Sequence, residues 1–92
     1  MKVKFSKKSA KFLENLDDKN KERARIKIRS LVLSLEECII PFKELDIKKL
    51  KGEWKDFFRL RIGNIRIIFR INKEEDGLRI FEIDYRGGVY KK

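Results

Sequence analysis

Arginine is the residue type through which this chain can do chemistry. It occurs at positions of one parity in each of two adjacent runs, Phe58-Arg59-Leu60-Arg61-Ile62 and Ile65-Arg66-Ile67-Ile68-Phe69-Arg70-Ile71, with Arg86 after a third. A guanidinium is planar, stays protonated at any working pH and grips two oxygens of a phosphate at once. Strand side chains alternate between the two faces of a sheet. If Leu60, Ile62, Ile65, Ile67, Phe69 and Ile71 point inward, then Arg59, Arg61, Arg66 and Arg70 point outward together. On the third run, Phe81, Ile83 and Tyr85 read as inward, Arg79 as inward or peripheral, and Arg86 as outward. Such a cluster can bind a phosphodiester, orient it and stabilise charge on its oxygens. Glu82 and Asp84 share the outward parity. A salt-bridged outer face therefore stands beside the phosphate-binding one, and the excess positive charge favours phosphate.

Other chemistry is excluded by composition. The chain has no histidine, which removes His-based triads and His-ligated metals. One cysteine, Cys38, makes neither a zinc site nor an intrachain disulfide, and it reads as a small core residue near a helix end. No glycine lies in a phosphate-loop or dinucleotide fingerprint. No metal and no cofactor are expected. Tyr90 is the candidate proton carrier near the arginines, since neighbouring positive charge lowers a phenol's pKa. It equally suits stacking on an RNA base or packing on the sheet. Trp54 reads as a core or edge anchor rather than as a base-stacking platform.

The elements that must position these residues divide the chain into a helical half and a strand half. Residues 2–5 alternate as a first strand. Ser6 can cap a short helix to which Ala10, Leu13 and Leu16, with Phe12 beside them, give one apolar face, and Asp17 or Asp18 can cap a second over residues 19–37. Ala24, Ile28, Leu31, Val32 and Leu35 fall on one side of that helix, and Pro41 ends helical structure. A short strand is expected near residues 49–51. Gly63-Asn64 joins two alternating runs as a hairpin, and residues 78–85 form the last strand. The expected fold is α+β: an N-terminal strand and a two-helix hairpin packed on one face of a mainly antiparallel twisted sheet, one domain over residues 1–92.

Net charge is +10, from 25 Lys+Arg against 15 Asp+Glu, which favours a polyanionic partner. No apolar run reaches the ~18 residues of a membrane span, and the N-terminus lacks a signal-peptide core, so a cytoplasmic protein with no membrane partner is expected.

Lys49-Leu50-Lys51-Gly52, the block from Phe58 to Phe69, Asp84-Tyr85-Arg86 and Val89-Tyr90 together resemble the RelE branch of the RelE/ParE toxin superfamily. The likeness extends over nearly the whole chain. The hairpin block is shared with ParE-type members, whereas Arg86 and Val89-Tyr90 favour the RelE branch. The resemblance implies the toxin of a type II toxin–antitoxin pair that cuts mRNA in the ribosomal A site by 2′-hydroxyl attack. It implies Arg61, Arg66, Arg86 and Tyr90 as catalytic residues, with Arg59, Lys49 and Lys51 on RNA phosphate. Two positions often held by lysine in such toxins are Arg59 and Arg61 here, so these clamp phosphate and leave proton transfer to Tyr90. A RelB-like antitoxin partner is implied, in a hetero-oligomer, with the toxin alone a monomer. A ParE-like topoisomerase inhibitor and a non-catalytic RNA-binding member remain alternatives.

Overall fold

The computed structural model describes residues 1–85. Five strands, β1 (Lys2–Phe5), β2 (Ile47–Lys49), β3 (Phe57–Ile62), β4 (Ile65–Asn72) and β5 (Gly77–Tyr85), form one sheet in the order β1-β5-β4-β3-β2. Among the described residues only the β1–β5 pairing is parallel. Helices α1 (Lys7–Glu14) and α2 (Asp18–Glu36) follow β1 and cover one side of the sheet.

That side is the core. Leu16, Ala24, Ile28 and Leu31 from the helical segment meet Leu60, Ile62, Ile65, Ile67, Phe69, Leu78, Ile80 and Ile83 from β3, β4 and β5. A large aliphatic or aromatic side chain leaving water in this way contributes roughly 1.5–3 kcal/mol. Among the described residues no helix is long and apolar enough to cross a membrane.

Both helices start where capping chemistry predicts. Ser6 holds extended backbone (φ −67°, ψ 159°) and its hydroxyl accepts from the Ser9 amide at 3.1 Å. The same hydroxyl donates to the Phe81 carbonyl at 2.7 Å, tying α1 to β5. Asp17 caps α2, its carboxylate accepting from the Asn20 amide at 3.2 Å and the Asn20 side chain at 2.8 Å.

Expectations are corrected in five places. First, the buried residue of α1 is Ser9, and its neighbour Ala10 is exposed rather than on the apolar face. Helix α2 stops at Glu36, one residue from its expected end: Cys38 adopts φ 62°, and the Cys38 and Ile39 amides donate back to the Leu35 and Ser34 carbonyls at 2.9 and 3.0 Å. This is a Schellman closure with cysteine where glycine is usual. Second, that position leaves Cys38 exposed rather than in the core. Third, β2 covers Ile47–Lys49, not residues 49–51, because Ile47 is the buried residue that pairs with Leu60. Fourth, β5 carries a bulge: Ile68 pairs with Glu82 and Phe69 with Ile80, so Phe81 is skipped. The bulge lets Ile80 and Ile83 both face the core and turns Phe81 to the other side. Fifth, Arg79, between the core residues Leu78 and Ile80, is exposed on that same outer side, not inward or peripheral.

Two predictions follow from the caps. Ser6→Ala removes the α1 cap and the tie to β5, and is expected to lower unfolding free energy by about 1–2 kcal/mol in a urea titration. Asp17's hydrogen bonds from Asn20, side chain first and backbone second, hold its carboxyl below the ordinary value of 3.8. Its contribution is complete above that value and is lost as pH falls through the lower folded value. The melting-temperature advantage of the parent over Asp17→Ala should therefore shrink in acid; an advantage constant from pH 6 to pH 2 would refute the linkage.

Candidate functional site

The sheet side opposite the helices carries three cross-strand rows. In the first, Arg61 of β3 pairs directly with Arg66 of β4, which pairs with Asp84 of β5. In the second, Lys48, Arg59, Ile68 and Glu82 run across β2, β3, β4 and β5. In the third, Phe57, Arg70, Arg79 and Lys4 run across β3, β4, β5 and β1. Arginine parity therefore holds across the hairpin.

Two carboxylates organise the first row. Arg66 makes a bidentate contact with Asp84, Nε to Oδ1 at 3.2 Å and Nη2 to Oδ2 at 2.9 Å, in a partly buried setting. Asp46 stands on the other flank. Its Oδ1 lies 3.8 Å from Arg59 Nη2 and its Oδ2 lies 3.8 Å from Arg61 Nε. These are ion pairs without hydrogen-bond geometry. Asp46 reaches this place from a left-handed backbone (φ 54°), which aspartate tolerates better than most residues. Its carbonyl accepts from the Arg61 amide at 3.2 Å, which extends the ladder one residue ahead of the start of β2. Arg59 is buried, with 8% of the residue exposed.

The face is not uniformly charged. Ile68 is only 5% exposed although it points away from the helices. Below it, Phe57 contacts Trp54 at 5.1 Å and Phe81 at 4.7 Å between ring centroids. Trp54 lies in the 3₁₀ turn Gly52–Trp54 and is 39% exposed, so it is a surface residue set against Phe57.

Arg59, Arg61 and Arg66 thus come together on one face. Lys49 pairs with core residue Phe58, whereas Lys48 pairs with Arg59, so Lys48 is the β2 lysine on the arginine side. Lys51 lies beyond the end of β2, immediately before the 3₁₀ turn. Arg86 and Tyr90 lie outside the described residues. Asp46, Lys48 and the Phe57–Phe81 contact were missed from sequence. Two signals were available: Ile67-Ile68-Phe69 and Ile80-Phe81 break alternation with consecutive apolar residues.

Chemically, the face offers several fixed cations beside aromatic surface. It can hold phosphate oxygens and oppose negative charge developing on them. Neutral arginine is not accessible, so Arg59, Arg61 and Arg66 do not act as bases.

A helix pair on one side of a five-stranded sheet and an arginine-rich open side define the class, and comparison with known proteins gives the family. Residues 3–90 match the family described as the ParE toxin of the type II toxin–antitoxin system parDE. The chain is 32% identical over 89 residues to "Putative toxin RelE1" of Methanocaldococcus jannaschii, covering 97% of this chain and 93% of that protein. Its fold is similar to that in the archaeal RelE–RelB complex from Pyrococcus horikoshii OT3, with a TM-score of 0.72, 26% identity and 94% of each chain covered. It is equally similar to that in the RelB–RelE antitoxin–toxin complex from Methanococcus jannaschii, with a TM-score of 0.72 and 27% identity over 97% and 96% of the two chains. The chain belongs to the RelE/ParE superfamily of type II toxin–antitoxin toxins, as a toxin of the RelE type.

Asp84 is a bidentate acceptor for Arg66, which stands directly opposite Arg61 across the hairpin. Asp84→Ala is expected to cost about 1–3 kcal/mol in chemical denaturation, with part of the loss recovered in high salt as the repulsion is screened. An unchanged denaturation midpoint would show that the pair contributes nothing.

Proposed function

We propose that this toxin is a ribosome-dependent mRNA endonuclease acting in the cytoplasm. The carrying observation is the adjacency of Arg59, Arg61 and Arg66 on the sheet side that the helices leave bare. In the proposed reaction the 2′-oxygen of one nucleotide attacks the adjacent phosphorus. A 2′,3′-cyclic phosphate forms as the bond to the 5′-oxygen of the next nucleotide breaks, and that oxygen takes a proton. Arg59 and Lys48 hold phosphate, with Lys49 and Lys51 supplying further positive charge from β2 and the segment after it. Arg61 and Arg66 oppose the charge on the non-bridging oxygens. Arg86 completes the phosphate site and Tyr90 takes the 2′-proton; the family resemblance supports both assignments.

The partner is proposed to be a RelB-like antitoxin in a hetero-oligomer, with the isolated toxin a monomer. Two archaeal structural relatives are complexes with RelB. A surface this basic also gains from an acidic cover.

The test is primer extension on a translated message in a reconstituted translation mix. Arg66→Ala is expected to reduce cleavage by about 100-fold or more, the scale for losing one preorganised charge-stabilising group. Circular dichroism would confirm that the variant remains folded. Cleavage undiminished in an Arg61→Ala, Arg66→Ala double variant sinks the proposal. The match to the ParE toxin family favours a second reading, inhibition of a topoisomerase. Dose-dependent loss of gyrase supercoiling, with messages left intact, would select it.

A further inference from the structure

The aromatic residues beside the arginines have no role in the reaction just described. Phe57, Trp54 and Phe81 form a row on the open face, with Phe57 at 88° to the Trp54 ring and 85° to the Phe81 ring. The neighbouring inward residue behaves differently: Phe58 stacks on Phe69 in the core at 16°. Among the described residues neither Trp54 nor Phe81 has a second aromatic neighbour. The row has a built character. Phe81 reaches it only because of the β5 bulge, and Ser6 anchors the Phe81 carbonyl from the helix layer at 2.7 Å.

Its surroundings are cationic. The Arg70 guanidinium lies 5.8 Å from the Phe57 ring centroid. Arg79 pairs with Arg70, and Lys4 with Arg79. Along β3, Arg59 and Arg61 follow Phe57 on the same side, about 7 and 13 Å away at the strand rise. Planar rings interleaved with arginines suit single-stranded nucleic acid: bases stack on the rings and phosphates meet the cations. An aliphatic patch would serve a protein partner equally well, but gives a base no flat surface.

We infer that the Trp54–Phe57–Phe81 row is a base-stacking subsite for single-stranded RNA, holding nucleotides next to the phosphate engaged by Arg61 and Arg66. This rests on the RNA-cutting reading of the face. A strand whose reacting phosphate sits on the first cross-strand row lays its neighbouring bases over the aromatic row, so stacking fixes where along the message the reactive phosphate lies.

The full chain supplies its own reporter, because Trp54 is its only tryptophan. The probe is a 2′-O-methyl RNA hexamer, which cannot be cut by 2′-hydroxyl attack, compared with an abasic strand of equal length. The RNA is expected to quench Trp54 fluorescence, while the abasic strand binds at least about 10-fold more weakly and does not quench. With fluorescein-labelled strands read by anisotropy, Phe81→Leu and Trp54→Leu should each weaken RNA binding by about 5- to 150-fold. Abasic affinity should stay unchanged, and Trp54→Phe should restore most of the loss. Equal affinity for the two strands overturns the inference, as does parent-like RNA binding by folded Phe81→Leu and Trp54→Leu. Quenching by an acidic amphipathic peptide with none by RNA overturns it in favour of a protein occupant. The two readings fail separately. If the ring variants bind RNA normally while Arg66→Ala abolishes cleavage, only the stacking subsite falls. If RNA stacks as expected but the parent never cuts a translated message, only the endonuclease reading falls.

Discussion

Arg61 and Arg66 sit directly opposite each other across the β3–β4 hairpin, and the open face depends on that unfavourable contact being held in register. Like charges directly opposed across strands repel. The hydrophobic pattern nevertheless leaves no choice. A slip of one residue would turn Arg59 and Arg61 into the core and push Leu60 and Ile62 into water. The Gly63-Asn64 loop fixes the register, with Gly63 at φ 56° at its first position, as the tight twisted hairpin turn requires. Asp46 and Asp84 then flank the arginine pair, so that one carboxylate on either side brackets the two guanidinium groups across the sheet.

The β5 bulge is the second constraint. It allows one strand to serve two layers out of phase. Before it, Leu78 and Ile80 fill the core opposite Ile71 and Phe69; after it, Ile83 does so opposite Ile67. The residue left over, Phe81, supplies a ring to the other face. Ser6 binds at this irregularity, so the helix cap and the open face share one fixed point.

The helix starts, the hairpin and the outward set of Arg59, Arg61 and Arg66 were legible in the sequence, because each rests on a local rule: a capping residue, a two-residue turn, a period of two. What escaped depends on tertiary pairing. Phe81 was assigned inward because counting by twos from Ile83 and Tyr85 takes no account of a bulge. Arg79 followed the same count and went astray with it. Lys48 was missed because β2 has three residues and too little alternation to set its own phase; Ile47 against Leu60 sets it. Asp46 was missed because its place comes from a left-handed backbone and not from any strand. Cys38 looked like a core residue by type, but terminating α2 in a left-handed turn puts it in solvent.

The two carboxylates are not equivalent, and the difference bears on how the face meets a phosphate. Asp84 grips Arg66 through two hydrogen bonds in a partly buried site, which fixes the guanidinium plane. Such fixing lowers the reorganisation needed when charge develops nearby. Asp46 stands 3.8 Å from Arg59 and Arg61, an ion-pair distance at which a half-exposed carboxylate gains little. Arg61 Nε is shielded from water and makes no hydrogen bond among the described residues. An arriving phosphate oxygen offers that group what Asp46 does not, a hydrogen bond as well as a charge. Under the proposed function, Arg66 is thus the preset half of the site and Arg61 the half that re-aims. The weak Asp46 contact keeps two crowded arginines tolerable until substrate replaces it.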